Sequence, residues 1–149
     1  MGVVIITGCS RGIGHHAALE LARRGWTVVG TLRGDAGREA LEAGGVEVEH
    51  LDVTDAARCA AVVDAVRRRH GRLDAVVANA GRGLFGCFED VDDDEIRALF
   101  EVNLYGAMHI VRPALPALRE TGGKVVLMSS IAGRRGAPGS GSYNATKFA

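Results

Sequence analysis

These 149 residues predict an α/β fold: a Rossmann-type, doubly wound parallel sheet with helices on both faces. Three observations lead there. Short, continuous apolar runs rich in Val and Ile recur along the chain, as in strands buried on both faces. Longer segments with helical spacing separate them. The two kinds alternate regularly, which requires crossover connections between parallel strands.

The first strand is Val3–Ile6, entered directly from Met1-Gly2. Its apolar run is too short for a signal peptide or a membrane span. A myristoylation signal would want Ser or Thr where Ile6 stands. Ile13, Ala17, Leu21 and Ala22 then share one face of a helix ending at Gly25. Thr27–Leu32 and Val46–Val48 are the second and third strands. Cys59, Val62, Val63 and Val66 mark the next helix, which closes with Arg67-Arg68-Arg69-His70 before Gly71. Cations in a last turn followed by glycine are helix-stop chemistry, so this basic run reads as a solvated helix end, not a nucleic-acid patch.

Ala75–Ala78 is the fourth strand. Asp92-Asp93-Asp94-Glu95 opens an apolar-periodic segment (Ile96, Leu99, Phe100) and suits the positive end of a helix dipole. No companion ligands follow at a metal-binding spacing. From Asn103 to Glu120 the period is again helical, but Pro113 and Pro116 predict a kink or an early end. Val125–Met128 is the fifth strand. Gly-rich stretches at Arg33–Gly37, Gly81–Gly86 and Gly133–Gly141 predict loops.

Residues 1–149 have the length of one domain with one core, and 47% hydrophobic with 24% charged residues excludes a disordered chain. Lys plus Arg equals Asp plus Glu at 18 each, so no footprint for nucleic acid or an anionic membrane is present in bulk charge. Cys9, Cys59 and Cys87 form no CxxC pair and read as reduced thiols. With no targeting segment, the expected location is cytoplasmic. His15 and His16 are adjacent, point in different directions, and read as surface residues rather than a metal pair. Cys9 lies in a glycine-rich turn, but only a helix N-terminus argues for its oxidation, so it is not read as a redox switch.

That turn, Thr7-Gly8-Cys9-Ser10-Arg11-Gly12-Ile13-Gly14, joins the first strand to the first helix. Gly8 permits the sharp bend, Gly12 lets a pyrophosphate approach the backbone, and Gly14 lets the helix pack close to the sheet. The helix N-terminus offers free N–H groups and partial positive charge to phosphates. Gly8, Ser10, Arg11, Gly12, Ile13 and Gly14 are therefore candidate cofactor contacts. The second strand decides which dinucleotide. NAD-binding folds end it with an acidic residue that holds the ribose 2′-hydroxyl. Here Leu32 takes that place, Arg33 follows, and Arg11 can reach the same region. Two guanidiniums and no carboxylate favour a 2′-phosphate, hence NADP(H) over NAD(H).

Near the C-terminus, Tyr143-Asn144-Ala145-Thr146-Lys147 puts a phenol and an ammonium one helical turn apart. A free tyrosine titrates near pH 10, about three units above neutrality. A neighbouring cation favours the phenolate and brings proton exchange into working range. A serine hydroxyl nearby can hydrogen-bond a substrate oxygen as charge shifts onto it.

With these residues in place, the sequence resembles the short-chain dehydrogenase/reductase family, in its compact branch. TGxxxGxG stands as Thr7, Gly8, Gly12 and Gly14, and the NAG tripeptide as Asn79, Ala80 and Gly81. Asp52-Val53 follows the third strand, where the family contacts adenine. Asn103 matches the family's helix asparagine, and Ser130 lies thirteen positions before Tyr143. The resemblance implies that Tyr143 is the general acid/base. It implies that Lys147 binds the nicotinamide ribose beside Tyr143 and lowers the tyrosine pKa. Ser130 would polarise the carbonyl, Asn103 would hold a relay water, and Asn79 would steady the sheet beside the cofactor. Ser129 is the decoy, since the interval to Tyr143 favours Ser130.

The implied reaction is reversible hydride transfer between the nicotinamide and a secondary alcohol or ketone. The turn's Thr7–Ser10, Thr31-Leu32-Arg33 and Gly83-Leu84-Phe85-Gly86 resemble members grouped with hydroxysteroid and retinol dehydrogenases, which implies a hydrophobic carbonyl substrate. The expected partner is a small molecule, not nucleic acid or membrane, with the full-length form a homo-oligomer. Family members run to about 250 residues, within the range of larger single domains. The expectation is therefore a fold incomplete at the C-terminus, stopping at Phe148-Ala149, and at best a weak catalyst at this length. The rivals to an oxidoreductase are a non-catalytic NADP(H)-binding module and an inactive structural partner.

Overall fold

A computed structural model describes residues 2–149. Five parallel strands form one sheet in the order β3-β2-β1-β4-β5: β1 (Val3–Ile6), β2 (Thr27–Leu32), β3 (Glu47–His50), β4 (Ala75–Ala78) and β5 (Lys124–Leu127). β1, β2 and β4 match the expected runs. β3 begins one residue later than expected and extends to His50, and β5 begins and ends one residue earlier. Both shifts reflect pairing: Glu47 to His50 align with Val29 to Leu32, and Lys124 with Ala75, whatever their polarity.

Side chains alternate across a strand, and in β1 both sets are buried. Val3 and Ile5 point into one core, with Cys59, Val62 and Val66 of α3 (Ala56–His70) and Ile110 and Ala114 of α5 (Gly106–Thr121). Val4 and Ile6 point into the other, with Ala18 of α1 (Gly12–Arg23) and Leu41 of α2 (Arg38–Ala43). Helices thus cover both faces. The strand order reverses direction at β1, so the β1–β4 boundary is the crevice where such sheets bind ligands.

Helix ends follow local chemistry. Asp55 caps α3 by accepting from Arg58 N–H at 2.8 Å, and Gly71 ends it at φ 70°. The basic run of that last turn is exposed and paired: Arg68 with Asp64, Arg67 with Glu120, and Arg69 with Glu47 and Glu49. α4 (Asp93–Phe100) opens with a capping box, Glu95 accepting from Asp92 N–H at 3.2 Å.

The expected loop at Arg33–Gly37 is followed by the six-residue α2, closed by Leu41 in the core. Two local expectations need correction. The expected loop at Gly133–Gly141 begins inside a 3-10 turn, Ile131–Gly133, and ends in α6 (Gly141–Phe148). Pro113 and Pro116 do not end α5, which continues to Thr121. Two interior prolines cost about 3 kcal/mol each. Val62, Val63, Val66, Ile110 and Leu118, all buried where α5 packs, contribute roughly 1.5–3 kcal/mol each and outweigh them.

Between α4 and α5 the helix is continuous, but Glu101–Tyr105 forms a π-turn. No periodicity signals it. Such bulges recur at functional sites, and this one carries Asn103.

Candidate functional site

The glycine turn leaves β1 at Thr7 and folds against the β4 exit. Thr7 Oγ1 accepts from the N–H groups of Asn79 (3.1 Å) and Ala80 (3.0 Å), while Asn79 Nδ2 donates to the carbonyls of Thr7 (2.9 Å) and Gly8 (3.1 Å). Gly8 sits at φ 72°, and a Cβ there would lie 2.8 Å from Ala80 Cα. Gly12, at φ 64°, has open space above it. A Cβ on the buried Gly14 would collide with the Asn79 amide and the Gly8 carbonyl. Unlike α3 and α4, α1 has neither a side-chain cap nor an acid in its first turn, so its N-terminal N–H groups remain free for an anion.

His15 departs from the sequence reading. His15 is half-buried with Nδ1 3.1 Å from the Cys9 carbonyl, whereas His16 is exposed. Cys9 is fully buried, its thiol donates to Ile6 O at 3.2 Å, and burial pushes it up to about 12. A thiol so placed is held as the unreactive neutral form, which argues against a redox switch, as the sequence reading does.

Above this turn lies a cavity of about 640 Å³. Gly8, Ser10, Arg11, Gly12, Ile13, Arg33, Asp52, Val53, Asn79, Ala80 and Gly81 line it, and so do Ser130, Tyr143 and Lys147. Gly14 and Asn103 do not, lying behind the wall. Asp52 is the sole carboxylate on a wall that also carries Arg11, Arg33, Arg82 and Lys147, so the cavity suits an anion. Backbone and side-chain bonds from Thr54, with Arg33 nearby, hold the Asp52 carboxyl below the usual range. Leu32 is buried where a carboxylate would bind a ribose hydroxyl, and Arg33 beside it is exposed.

The other end of the cavity is built from β5 and α6. Met128, just past β5, donates its N–H to Ala78 O (3.0 Å) and accepts from Lys147 Nζ (2.9 Å). Lys147 Nζ stands 6.0 Å from the Tyr143 ring centroid, as a spacing of four on one helix requires. The two neighbouring serines differ. Ser129 Oγ donates to Lys147 O (3.2 Å), securing α6, whereas Ser130 Oγ accepts from Ala132 N–H (3.2 Å). A Cβ at Gly81 would lie 3.3 Å from Asn103 Oδ1 and 3.7 Å from Lys147 Nζ, so a side chain here would press on the Asn103 amide.

The Asn103 side chain spans the junction from behind. Its Oδ1 accepts from Arg82 N–H (2.9 Å), and its Nδ2 donates to Arg82 O (2.9 Å) and Thr146 Oγ1 (3.0 Å). Both amide hydrogens are thereby committed to protein partners. Sequence reasoning also missed Arg82, Met128, Asn144 and Thr146. Buried Asn144 donates to the carbonyls of Ala132 (2.8 Å) and Arg135 (2.9 Å) and accepts from Ser140 Oγ (2.6 Å), fastening the loop before α6. The sequence offered no signal for Asn144 or Thr146 beyond their place inside Y-x-x-x-K.

A short chain dehydrogenase family model matches residues 2–149. Among curated proteins, 11-beta-hydroxysteroid dehydrogenase 1A of Arabidopsis thaliana is 38% identical over 99% of this chain and 44% of its own length. The human 17-beta-hydroxysteroid dehydrogenase type 1 is 37% identical over 99% of this chain and 48% of its own. The chain thus spans about half the length of these relatives. Among solved structures, a short-chain dehydrogenase from Streptomyces avermitilis superposes with a TM-score of 0.93 at 39% identity, covering 99% of this chain and 56% of that one. An alcohol dehydrogenase from Thermococcus sibiricus, complexed with 5-hydroxy-NADP, superposes at 0.90 with 37% identity, covering 99% and 66%. No helix among the described residues is long and apolar enough to cross a membrane.

Proposed function

The chain belongs to the short chain dehydrogenase family, and from that premise we propose that it is the cofactor-binding and catalytic part of an NADP(H)-dependent oxidoreductase. Its substrate class is a small secondary alcohol or ketone of hydrophobic character. The observation that carries this reading is the single cavity: Ser130, Tyr143 and Lys147 share its wall with the Gly8–Gly12 turn.

The residues fit the dinucleotide. Gly12 leaves its backbone bare, α1 offers an uncapped N-terminus, and the wall holds four cations against one carboxylate. Thr31 Oγ1 beside it is buried with no protein partner among the described residues, an unsatisfied polar group at the cavity wall. Arg11 and Arg33 would take the 2′-phosphate by charge-assisted bonds, Asp52 and Val53 would flank the adenine, and Lys147 would hold the nicotinamide-side ribose. When bound, the nicotinamide supplies the hydride donor or acceptor.

This chain's own residues manage the proton and the carbonyl. Tyr143 gives its phenolic proton to the substrate oxygen during reduction and recovers it during oxidation. Lys147, fixed by Met128 O, places a cation one turn away. The Ser130 oxygen already accepts from Ala132, so its hydrogen is left to donate to the substrate oxygen as charge gathers there. Asn103 is a positioning residue: it fixes the Arg82 peptide to α6 through Thr146. Three free cysteines accord with a reducing, cytoplasmic location.

The test pairs cofactor titration with a hydride-transfer assay. NADPH should bind at least about tenfold more tightly than NADH, and Arg33→Ala should remove most of that difference. Tighter NADH binding refutes the cofactor assignment, and NADPH binding with no turnover of any ketone reduces the chain to a binding module.

A further inference from the structure

One histidine of α5 reaches the Asp52-Val53 corner of the main cavity and has no part in the reaction chemistry. Half-buried His109 lies three residues after Gly106, on the same face of the helix. Its Nδ1 stands 3.0 Å from the Val53 carbonyl oxygen. A carbonyl only accepts, so Nδ1 carries the proton. Val53 itself is 4% exposed and presses on Gly106, where a Cβ would come within 2.5 Å of Val53 Cγ2. Apolar packing therefore seats the Val53 side chain, and His109 holds its carbonyl.

That carbonyl belongs to the middle of a tight turn. Asp55 N–H donates to Asp52 O at 3.1 Å, which makes Val53–Thr54 the central peptide. His109 takes the oxygen of this peptide, and its N–H, from Thr54, donates to Asp52 Oδ1 at 3.0 Å. The Thr54 hydroxyl donates to the same carboxylate oxygen at 2.8 Å. The other donor at the Val53 oxygen is the Cys59 thiol, a weak one at 3.7 Å. The sole carboxylate on the cavity wall is thus aimed by a peptide that His109 fixes.

We propose that His109 is a positioning residue that holds the Val53–Thr54 peptide, and through it the Asp52 carboxylate, in the orientation that receives the adenine half of the dinucleotide. This rests on the NADP(H) reading. One continuous helix then serves both ends of the cavity, since its π-turn carries Asn103, which braces the catalytic end through Thr146.

The experiment is a calorimetric titration of the 149-residue chain with 2′,5′-ADP, which carries the adenine and the 2′-phosphate, and with NMNH, which carries neither. His109→Leu fills the space without a donor and should weaken 2′,5′-ADP about tenfold. His109→Asn, whose amide nitrogen can stand where Nδ1 does, should stay within about threefold of the parent. NMNH affinity should be equal in all three, which a general loosening of the fold would not leave intact. Unchanged 2′,5′-ADP affinity in His109→Leu, or equal losses with both ligands, overturns the proposal. Should His109→Leu fail to fold, nitrogen-15 NMR of the parent's histidine rings decides. The expected Nδ1 of His109 is protonated and shifted by 2′,5′-ADP but not by NMNH; an unprotonated Nδ1, or one that 2′,5′-ADP leaves unmoved, overturns the assignment. Binding of 2′,5′-ADP that is indifferent to residue 109 defeats this proposal alone, whereas failure of the parent to bind it defeats the cofactor reading beneath as well.

Discussion

The two ends of the cavity are built by opposite means. At the dinucleotide end, the glycine turn leaves β1, whose four residues are at most 4% exposed and lie at the centre of two cores. At the catalytic end, Ser129 and Ser130 follow β5, an edge strand on which Val125, Val126 and Leu127 are 39%, 46% and 63% exposed. Apolar burial fixes the first end. Polar bonds fix the second: Lys147 to Met128 O, Ser129 to Lys147 O, and Asn144 to the loop that precedes α6. Binding and chemistry therefore rest on different forces, and each should fail without the other.

The largest separation comes from the phenol itself. Tyr143→Phe keeps the ring and its packing but removes the proton. In a complete enzyme of the family turnover should fall by roughly 10²–10⁴-fold, while cofactor affinity stays within about twofold in a fluorescence titration. Retained turnover would end the role assigned to Tyr143.

Next in size are two substitutions that load one end each. Gly14→Ala forces a methyl against the Asn79 amide and the Gly8 carbonyl, and should cost about 1–3 kcal/mol of stability along with cofactor affinity. Asn144→Ala strips donors from the carbonyl of the buried Ala132, at about 1–3 kcal/mol, and from that of the exposed Arg135, at less. Its effect should be confined to hydrogen exchange of residues 131–148 and to turnover, with cofactor affinity preserved. Equal loss of affinity in both variants would erase the distinction between the ends.

A smaller effect is acid-dependent and belongs to the apolar end. Asp74 links the start of β4 to β1, accepting from Val3 N–H at 2.7 Å and from Arg72 at 2.6 and 2.8 Å. The Arg72 guanidinium first, then the Val3 N–H, hold its carboxyl below the ordinary range. A lowered folded value means its contribution is complete above about pH 4 and is lost as pH falls through that lower value. Thermal melts of Asp74→Asn should therefore depend less on pH below about 4 than those of the parent, and parallel curves would contradict this.

The smallest effect is a count of thiols. Burial raises Cys9 to about 12 and Cys59 to about 11, while Cys87 is exposed. A thiol reagent at pH 8 should modify one cysteine in the folded chain and three after denaturation. Rapid labelling of Cys9 would show that the glycine turn opens more readily than its burial allows.

The difference between the ends also explains what was legible in the sequence. Apolar burial writes itself as Val/Ile runs, so β1, β2 and β4 were read to the residue, and the glycine turn stood out against them. The Y-x-x-x-K spacing marked Tyr143 and Lys147 because helical geometry fixes which side chains share a face. Polar clips leave no such trace. Nothing in the spacing marks Asn144 or Thr146 as buried, or Asn103 as a brace within a π-turn. The prolines misled because local propensity favours a break, and the packing of α5 against α3 overrides it. Arg82 was invisible because its place on the cavity wall depends on the path of the segment after β4, where Asn103 holds its peptide.

The most direct test is a crystal structure of this chain with NADP(H) bound. The expected result has the pyrophosphate over Gly12 at the N-terminus of α1, the 2′-phosphate near Arg11 and Arg33, and the nicotinamide C4 facing the Tyr143 side of the cavity, about 3–4 Å from where a substrate carbon would sit. A nicotinamide found away from Ser130, Tyr143 and Lys147, or a dinucleotide bound outside the glycine turn, would contradict the account at its root.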